Sequence, residues 1–511
     1  MLTASNLGII LTIVVYLAIM IGIGFYFGKK GDGTAEGFYL GGRKLGPLVA
    51  AMSAEASDMS SYLLMGLPGL AYISGLADVG WTAIGLGLGT YFNWLFVAKK
   101  LRRYSNNLNA FTVPDFFSRR YHDKRNILSL IAAIIIIVFF VPYTASGFKA
   151  VGTLFSTLYG FDYHLVMIIG AVIIVGYTVL GGFLAVSTTD LIQSIVMTVA
   201  LVIMVFFGVS KAGGVGAVIE NAKSLPGYFT MSQTYDIANN AAAPYGPLTI
   251  ISTMAWGLGY FGMPHILLRF MAVRDEREVK TSRRIASVWV FISMGIAIFI
   301  GIIGNAVSKA GLIPTFTNSS DAETTIIKLA DLIAQHGFFA AIVAGLVLAG
   351  ILACTMSTAD SQLLTAGSAI SQNFLQDFLH IKMKEKTSML LARLTIVVVA
   401  AVGVVLAWAP DSSVFTIVSF AWAGFGAAFG PLMIFSLFWK RTNIYGAFAG
   451  MVSGGAVVFI WKFLIKPLGG VFGIYELLPA FLVSSILIVV VSLCTAKPSA
   501  EIEKEFEAAK G

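Results

Sequence analysis

The sequence predicts an all-α polytopic membrane protein of about thirteen transmembrane helices, arranged around two inverted five-helix repeats. Three observations lead there. The 511 residues are 57% hydrophobic and only 12% charged, with mean hydropathy +0.85, more apolar surface than a soluble fold uses. Apolar runs of about 20 residues, the length that crosses a bilayer's hydrocarbon core, recur along the chain. Two of these runs, with starts five spans apart, are interrupted by glycine and proline beside polar residues.

The spans are expected at 7–27, 47–73, 77–97, 127–156, 163–182, 189–210, 247–270, 284–308, 338–375, 388–409, 413–438, 443–465 and 473–494. The first is too long for a signal-peptide core and reads as a retained helix. Lys and Arg test the assignment independently. Twenty-seven fall in alternate segments: residues 29–44, 99–125, 269–284, 382–393, 440–441 and the tail. Six fall in the intervening segments, at Lys211, Lys223, Lys309, Lys328, Lys462 and Lys466, and Lys149 alone lies within a span. By the positive-inside rule the N-terminus is outside and the C-terminus is cytoplasmic. The net charge of +8 is thereby a feature of topology, and no nucleic-acid partner is expected. Cys354 and Cys494 both lie in apolar runs, which excludes a disulfide framework. The segments 211–246 and 310–337 are long and poor in Lys and Arg, as external loops are; the tail PSAEIEKEFEAAKG reads as a solvated helix without a role of its own.

The second span carries GLPG at 66–69, and the seventh carries WGLGYFGMPH from Trp256 to His265. Because five is odd, spans 2–6 and 7–11 enter the membrane from opposite sides. The expected division is an N-terminal helix and inner loop at 1–45, a first repeat at 46–210, an external loop at 211–246, a second repeat at 247–441, two further helices at 442–494 and a cytoplasmic tail at 495–511. A broken membrane helix frees main-chain groups that must line a cavity or bind a ligand. Paired breaks in inverted halves point to a central transport site.

Charged and hydroxylic residues inside these spans are costly and therefore informative. Asp58 lies just before the first break. The ninth span places Cys354, Ser357, Asp360 and Ser361 on one face, with Thr358 beside them. Hydroxyls, a carboxylate and main-chain oxygens form the donor set of a hard cation. Asp190 fits two roles, cation ligand or cap at the start of the sixth span. Glu55 either shares the aqueous path of Asp58 or pairs with a base such as Lys149. His265 reads as structural, since no second intramembrane histidine completes a proton relay. Tyr143, Trp256 and Tyr260 are candidate walls for a small, partly apolar solute. No GxxxxGK[ST] loop and no catalytic constellation is present, so neither ATP-driven transport nor an enzyme is expected.

At these residues the chain resembles the sodium/solute symporter family almost end to end. The motifs are YLGGRKLGP at 39–47, SAEASDMS at 53–60, LMGLPG at 64–69, GGFLAVSTTD at 181–190, WGLGYFG at 256–262, MSTADSQLL at 356–364 and FAWAGFGAAFGP at 420–431. The resemblance implies a leucine-transporter-type fold in a bacterial cell membrane, with sodium as coupling ion and no cofactor. It implies import of a small solute, and the motifs are most similar to members that carry proline. It implies a sodium site made by main-chain oxygens of Ala56, Met59 and Cys354 with the hydroxyls of Ser357 and Thr358. Asp58 resembles an aspartate needed for sodium coupling, and Ser60 a residue governing sodium and solute affinity. Asp190, with Asp360 and Ser361, resembles a second cation site. Tyr62 stands where proline carriers can have tryptophan, and Met263 where glutamine is common, both near the implied solute site.

Overall fold

The computed structural model describes residues 4–30, 34–409 and 413–510. Nine helical stretches among the described residues are long and apolar enough to cross a membrane. The second, third and seventh predicted spans, richer in glycine and polar residues, fall outside those nine; the second and seventh are interrupted, while the third runs on through a wide turn over Asn93–Ala98. One of the nine, Tyr163–Lys211, holds two predicted spans. As a straight helix its 49 residues would reach about 70 Å, more than twice the hydrocarbon thickness. It bends at Gly182, whose φ of 61° and ψ of −162° leave helical space, a conformation natural to glycine.

Helix resumes directly after Gly182, so the sixth span starts before the predicted residue 189. Asp190 therefore sits inside a helix, and its reading as an N-terminal cap is corrected. Among the described residues the fold is all-α apart from one hairpin and an isolated bridge between Leu45 and Val273. Within 211–246 a helix over Val215–Ser224 is followed by an antiparallel hairpin that pairs Gln233–Asp236 with Ala241–Pro244. Tyr228 of this segment donates to the carbonyls of Ala71 and Tyr72 at 2.8 and 3.1 Å, strapping the loop to the end of the second span.

Both expected helix breaks exist, one of them at a different residue. The second span is helical over Pro47–Ser61, but Ser60 has φ 46° and ψ −171°. A wide turn over Tyr62–Gly66 and a helix over Leu67–Ser74 follow. The chain thus breaks at Ser60, six residues before GLPG, while Pro68 occupies the first turn of the restarted helix, where its missing N–H costs nothing. The seventh span runs as Pro247–Met254, a 3₁₀ segment over Ala255–Phe261 and a helix over Pro264–Ala272. Met263 is extended, with ψ 109°, as the residue before proline prefers. The two broken spans are joined at one end, where Leu45 N–H donates to Ala272 O and Arg274 N–H to Leu45 O, at 3.1 and 3.0 Å.

The ninth helix, Phe338–Ser368, is the hub, buried without interruption from Val347 to Ser368. It packs on the first, second and fourth helices and on Tyr163–Lys211. The tail is not solvated as expected. Its helix over Ala500–Lys510 buries Ile502, Phe506 and Ala509, and Phe506 packs across Tyr104 and the Arg120 guanidinium.

The third and seventh spans meet backbone to backbone at Gly85, Gly89 and Gly257, and a methyl on Gly257 would strike the Gly85 carbonyl. Gly257→Ala is expected to cost about 1–3 kcal/mol through overpacking, while Gly22→Ala, with open space around it, changes little. Unfolding midpoints of the purified proteins in detergent check this, and equal midpoints would contradict it.

Candidate functional site

The break at Ser60 places the preceding turn of the second span against the hydroxyl face of the ninth. Ser357 Oγ donates to Ala56 O at 2.8 Å and lies 3.3 Å from Cys354 O. Thr358 Oγ1 donates to the same Cys354 carbonyl at 3.2 Å. Four of the five residues expected to form the first cation site therefore converge. The carbonyl of the fifth, Met59, is turned to the Tyr62 N–H across the break. Two carbonyls and two hydroxyls, all buried, form the neutral oxygen set that suits a hard monovalent cation.

Asp58 does not join that set. Its Oδ2 accepts from the Tyr260 hydroxyl, and its main-chain carbonyl accepts from Tyr143 at 3.4 Å. Residues on the fourth and seventh spans thus hold the turn that leads into the break. Beside it lies a narrow cavity lined by Asp58, Tyr62, Tyr143, Trp256, Met294 and Trp422 among others. Tyr62 stacks on Trp256 with centroids 5.8 Å apart and planes at 18°, and Trp422 Nε1 donates to Trp256 O at 2.7 Å. A second space opens on the other side of Tyr143, bordered by Ser60, Thr144, Thr358 and Gln362.

Of the expected solute residues, Tyr62, Tyr143 and Trp256 line the main cavity. Tyr260 reaches it through Asp58, Ser60 faces the second space, and Met263 lines neither. An apolar cavity lies between the first, fourth and fifth spans with walls such as Ile13, Val151 and Ile173. It offers almost no polar atoms to recognise a polar solute.

The remaining expected residues belong to a third group, centred on one that sequence reading counted only as an inner positive charge. Arg269 is buried, and its Nη2 lies 3.1 Å from Asp190 Oδ2, with the two side chains 1% and 0% exposed. The same nitrogen donates to Ser361 Oγ at 2.5 Å, Nε donates to Ser53 Oγ at 3.0 Å, and Nη1 donates to His265 O at 2.9 Å. Asp190 Oδ2 also accepts from Ser53 and Ser57 at 2.6 and 3.1 Å. Asp360 accepts from Tyr177 at 2.7 Å and from Ser361 at 3.2 Å. Glu55 stands apart, its Oε1 held by Thr90 and Trp94 at 2.8 and 3.0 Å and its Oε2 without a hydrogen-bond partner among the described residues. That overturns its pairing with a base.

Removing one partner of a buried ion pair strands the other charge, which typically costs ~3–5 kcal/mol. Arg269→Ala is expected to lose that much stability in sodium-free buffer, measured by unfolding in detergent. An unchanged midpoint would show that the pair is not holding the bundle.

The sequence pattern of the Sodium:solute symporter family matches residues 38–454. The chain is 40% identical over 501 residues to sodium/proline symporters of Staphylococcus aureus strains USA300 / TCH1516 and JH9, covering 96% of this chain and 94% of each relative. Among solved structures it is similar to a Na+-coupled sialic acid symporter in a substrate-bound outward-open state, with TM-score 0.78 and 18% identity over 96% of this chain and 99% of that one. It is also similar to a nucleobase-cation-symport-1 family transporter in a closed conformation, with TM-score 0.55 and 15% identity over 92% and 98% of the two chains. The architecture is accordingly the inverted-repeat fold of leucine-transporter-type carriers. A multi-pass fold, a convergent oxygen set at a helix break and an end-to-end sequence match lead to one assignment: the chain belongs to the sodium:solute symporter family, which comprises sodium-coupled transporters and not enzymes.

Proposed function

We propose that this protein imports proline with sodium by alternating access, the ion binding where Ser357 bridges the ninth span to the Ala56 carbonyl. That bridge is the observation on which the reading rests. Sodium takes the carbonyls of Ala56 and Cys354 and the hydroxyls of Ser357 and Thr358, with Met59 closing the shell as the break adjusts. Binding there ties the second span to the ninth and fixes the turn that carries Asp58. Asp58 acts on coupling through Tyr260 and Tyr143, outside the ion's immediate shell.

The solute occupies the cavity between Asp58 and the stacked rings of Tyr62 and Trp256. Its mixture of aromatic walls with one carboxylate suits a small, partly apolar amino acid. Proline is the choice because the 40% identical relatives are named for it. A different small solute, such as another amino acid, a carboxylate or a sugar, is the second reading. The observation favouring it is Tyr62, which lines the cavity at a position where proline carriers can have tryptophan.

In this reading the chain crosses the membrane thirteen times, with the N-terminus outside and the C-terminus in the cytoplasm. The repeats are 46–210 and 247–441. One sodium moving down a membrane potential supplies about 2.3 kcal/mol per 100 mV, before any concentration gradient contributes.

Uptake of labelled proline and competing solutes into proteoliposomes, under separately imposed sodium, lithium and proton gradients, tests both parts. The expected result is sodium-driven proline accumulation. Ser357→Ala with Thr358→Ala should raise the sodium needed for half-maximal uptake by about tenfold or more, the effect of losing ~1.4 kcal/mol or more of ligation. Asp58→Asn should depress sodium-dependent uptake while the protein still inserts. Normal sodium dependence in the double variant would overturn the ion site. Failure of proline to enter or compete would overturn the solute alone.

A further inference from the structure

We infer that Arg269 is a built-in cation, its guanidinium filling a second cation pocket among the second, sixth and ninth spans, so that sodium does not bind there. The pocket's oxygens come from Asp190, Ser53, Ser57 and Ser361, carried on three different spans. Arg269 enters from a fourth, the restarted half of the seventh. Its head makes four hydrogen bonds, two of them through Nη2 to Asp190 Oδ2 and Ser361 Oγ. Its guanidinium carbon lies 5.1 Å from the Phe183 ring centre. A planar guanidinium stays charged when buried and gives its donors in a fixed fork, so it serves as a permanent occupant.

The surroundings are built for a cation. Asp190 sets a carboxylate against the guanidinium, Asp360 stands behind it through Ser361, and Asp190 Oδ1, buried, has no partner among the described residues. Without the guanidinium, the Asp190 carboxylate and the hydroxyls of Ser53, Ser57 and Ser361 would face one another in an apolar bundle, an oxygen site for a small cation. Ser57 links this pocket to the first. Its Oγ reaches both Asp190 and Ser361, while the adjacent Ala56 carbonyl receives Ser357. Ser357 and Ser361 are one helical turn apart on the same face. The fixed positive charge thus stands beside the exchangeable one, and the four-span junction holds whether or not sodium is present.

This inference rests on the reading of the first sodium site given above, and counting bound ions separates the two. Radioactive sodium is titrated onto the purified full-length protein without solute. The expected count is one per chain for wild type and for Arg269→Lys, and one more for Arg269→Ala or Arg269→Gln. The extra ion should disappear when Asp190→Ala is added. Sodium should also raise the melting temperature of Arg269→Ala by more than it raises that of wild type.

If Arg269→Ala gains no sodium and no extra stabilisation, the inference fails. It fails equally if wild type binds two ions and Asp190→Asn removes one, a result that needs no Arg269 variant to fold. Should wild type bind none and Arg269→Ala bind one, the first-site reading falls and the role of Arg269 stands.

Discussion

A helix that stops inside a bilayer releases main-chain groups that lipid cannot satisfy, and this protein is arranged around the places where those groups find partners. The governing break is at Ser60. A non-glycine residue at positive φ costs of order 1–2 kcal/mol, so the neighbours must over-determine it. They do so from three directions. Ser357 reaches the Ala56 carbonyl, Tyr143 the Asp58 carbonyl and Tyr260 the Asp58 carboxylate. Each tether comes from a different span, so the conformation of four residues records the relative position of the fourth, seventh and ninth helices.

That dependence gives coupling a physical form. The main-chain oxygens exposed by the break are the ones a sodium ion would share with the ninth span, and Tyr62, after the break, would wall the proposed solute cavity. On the proposed reading, ion and solute act on one short stretch of backbone, with no long relay required. The Arg269 cluster lies one turn away and has a different character. It joins a guanidinium to a carboxylate, both fully buried and permanently present, which suits a fixed joint, whereas the Ala56–Ser357 contact is neutral and exchangeable.

Much of this was legible in the sequence, for identifiable reasons. Span length and the paired interruptions are averaged over many residues, and they located the long apolar helices and both broken spans. The hydroxyl face of the ninth span followed from helical spacing alone. Local geometry was harder to read. GLPG drew the break to residues 66–69, yet those residues serve close packing, with Gly69 against the Glu323 backbone, and the chain turns at Ser60 by tertiary constraint. Arg269 was invisible as a site because a base near a helix end reads identically whether it snorkels to water or turns inward to Asp190. The docked tail had a signal that was passed over: Ile502, Phe506 and Ala509 recur at intervals of four and three, an apolar stripe seeking a surface.

The central claim is that sodium completes the broken second span by joining it to the ninth. Hydrogen–deuterium exchange at the amides of Ser60–Gly66, compared in sodium and in potassium at equal ionic strength and without solute, tests it most directly. Sodium should slow exchange across this stretch, and Ser357→Ala with Thr358→Ala should abolish the difference. Equal exchange in the two salts, or sodium protection that survives the double substitution, would contradict the account.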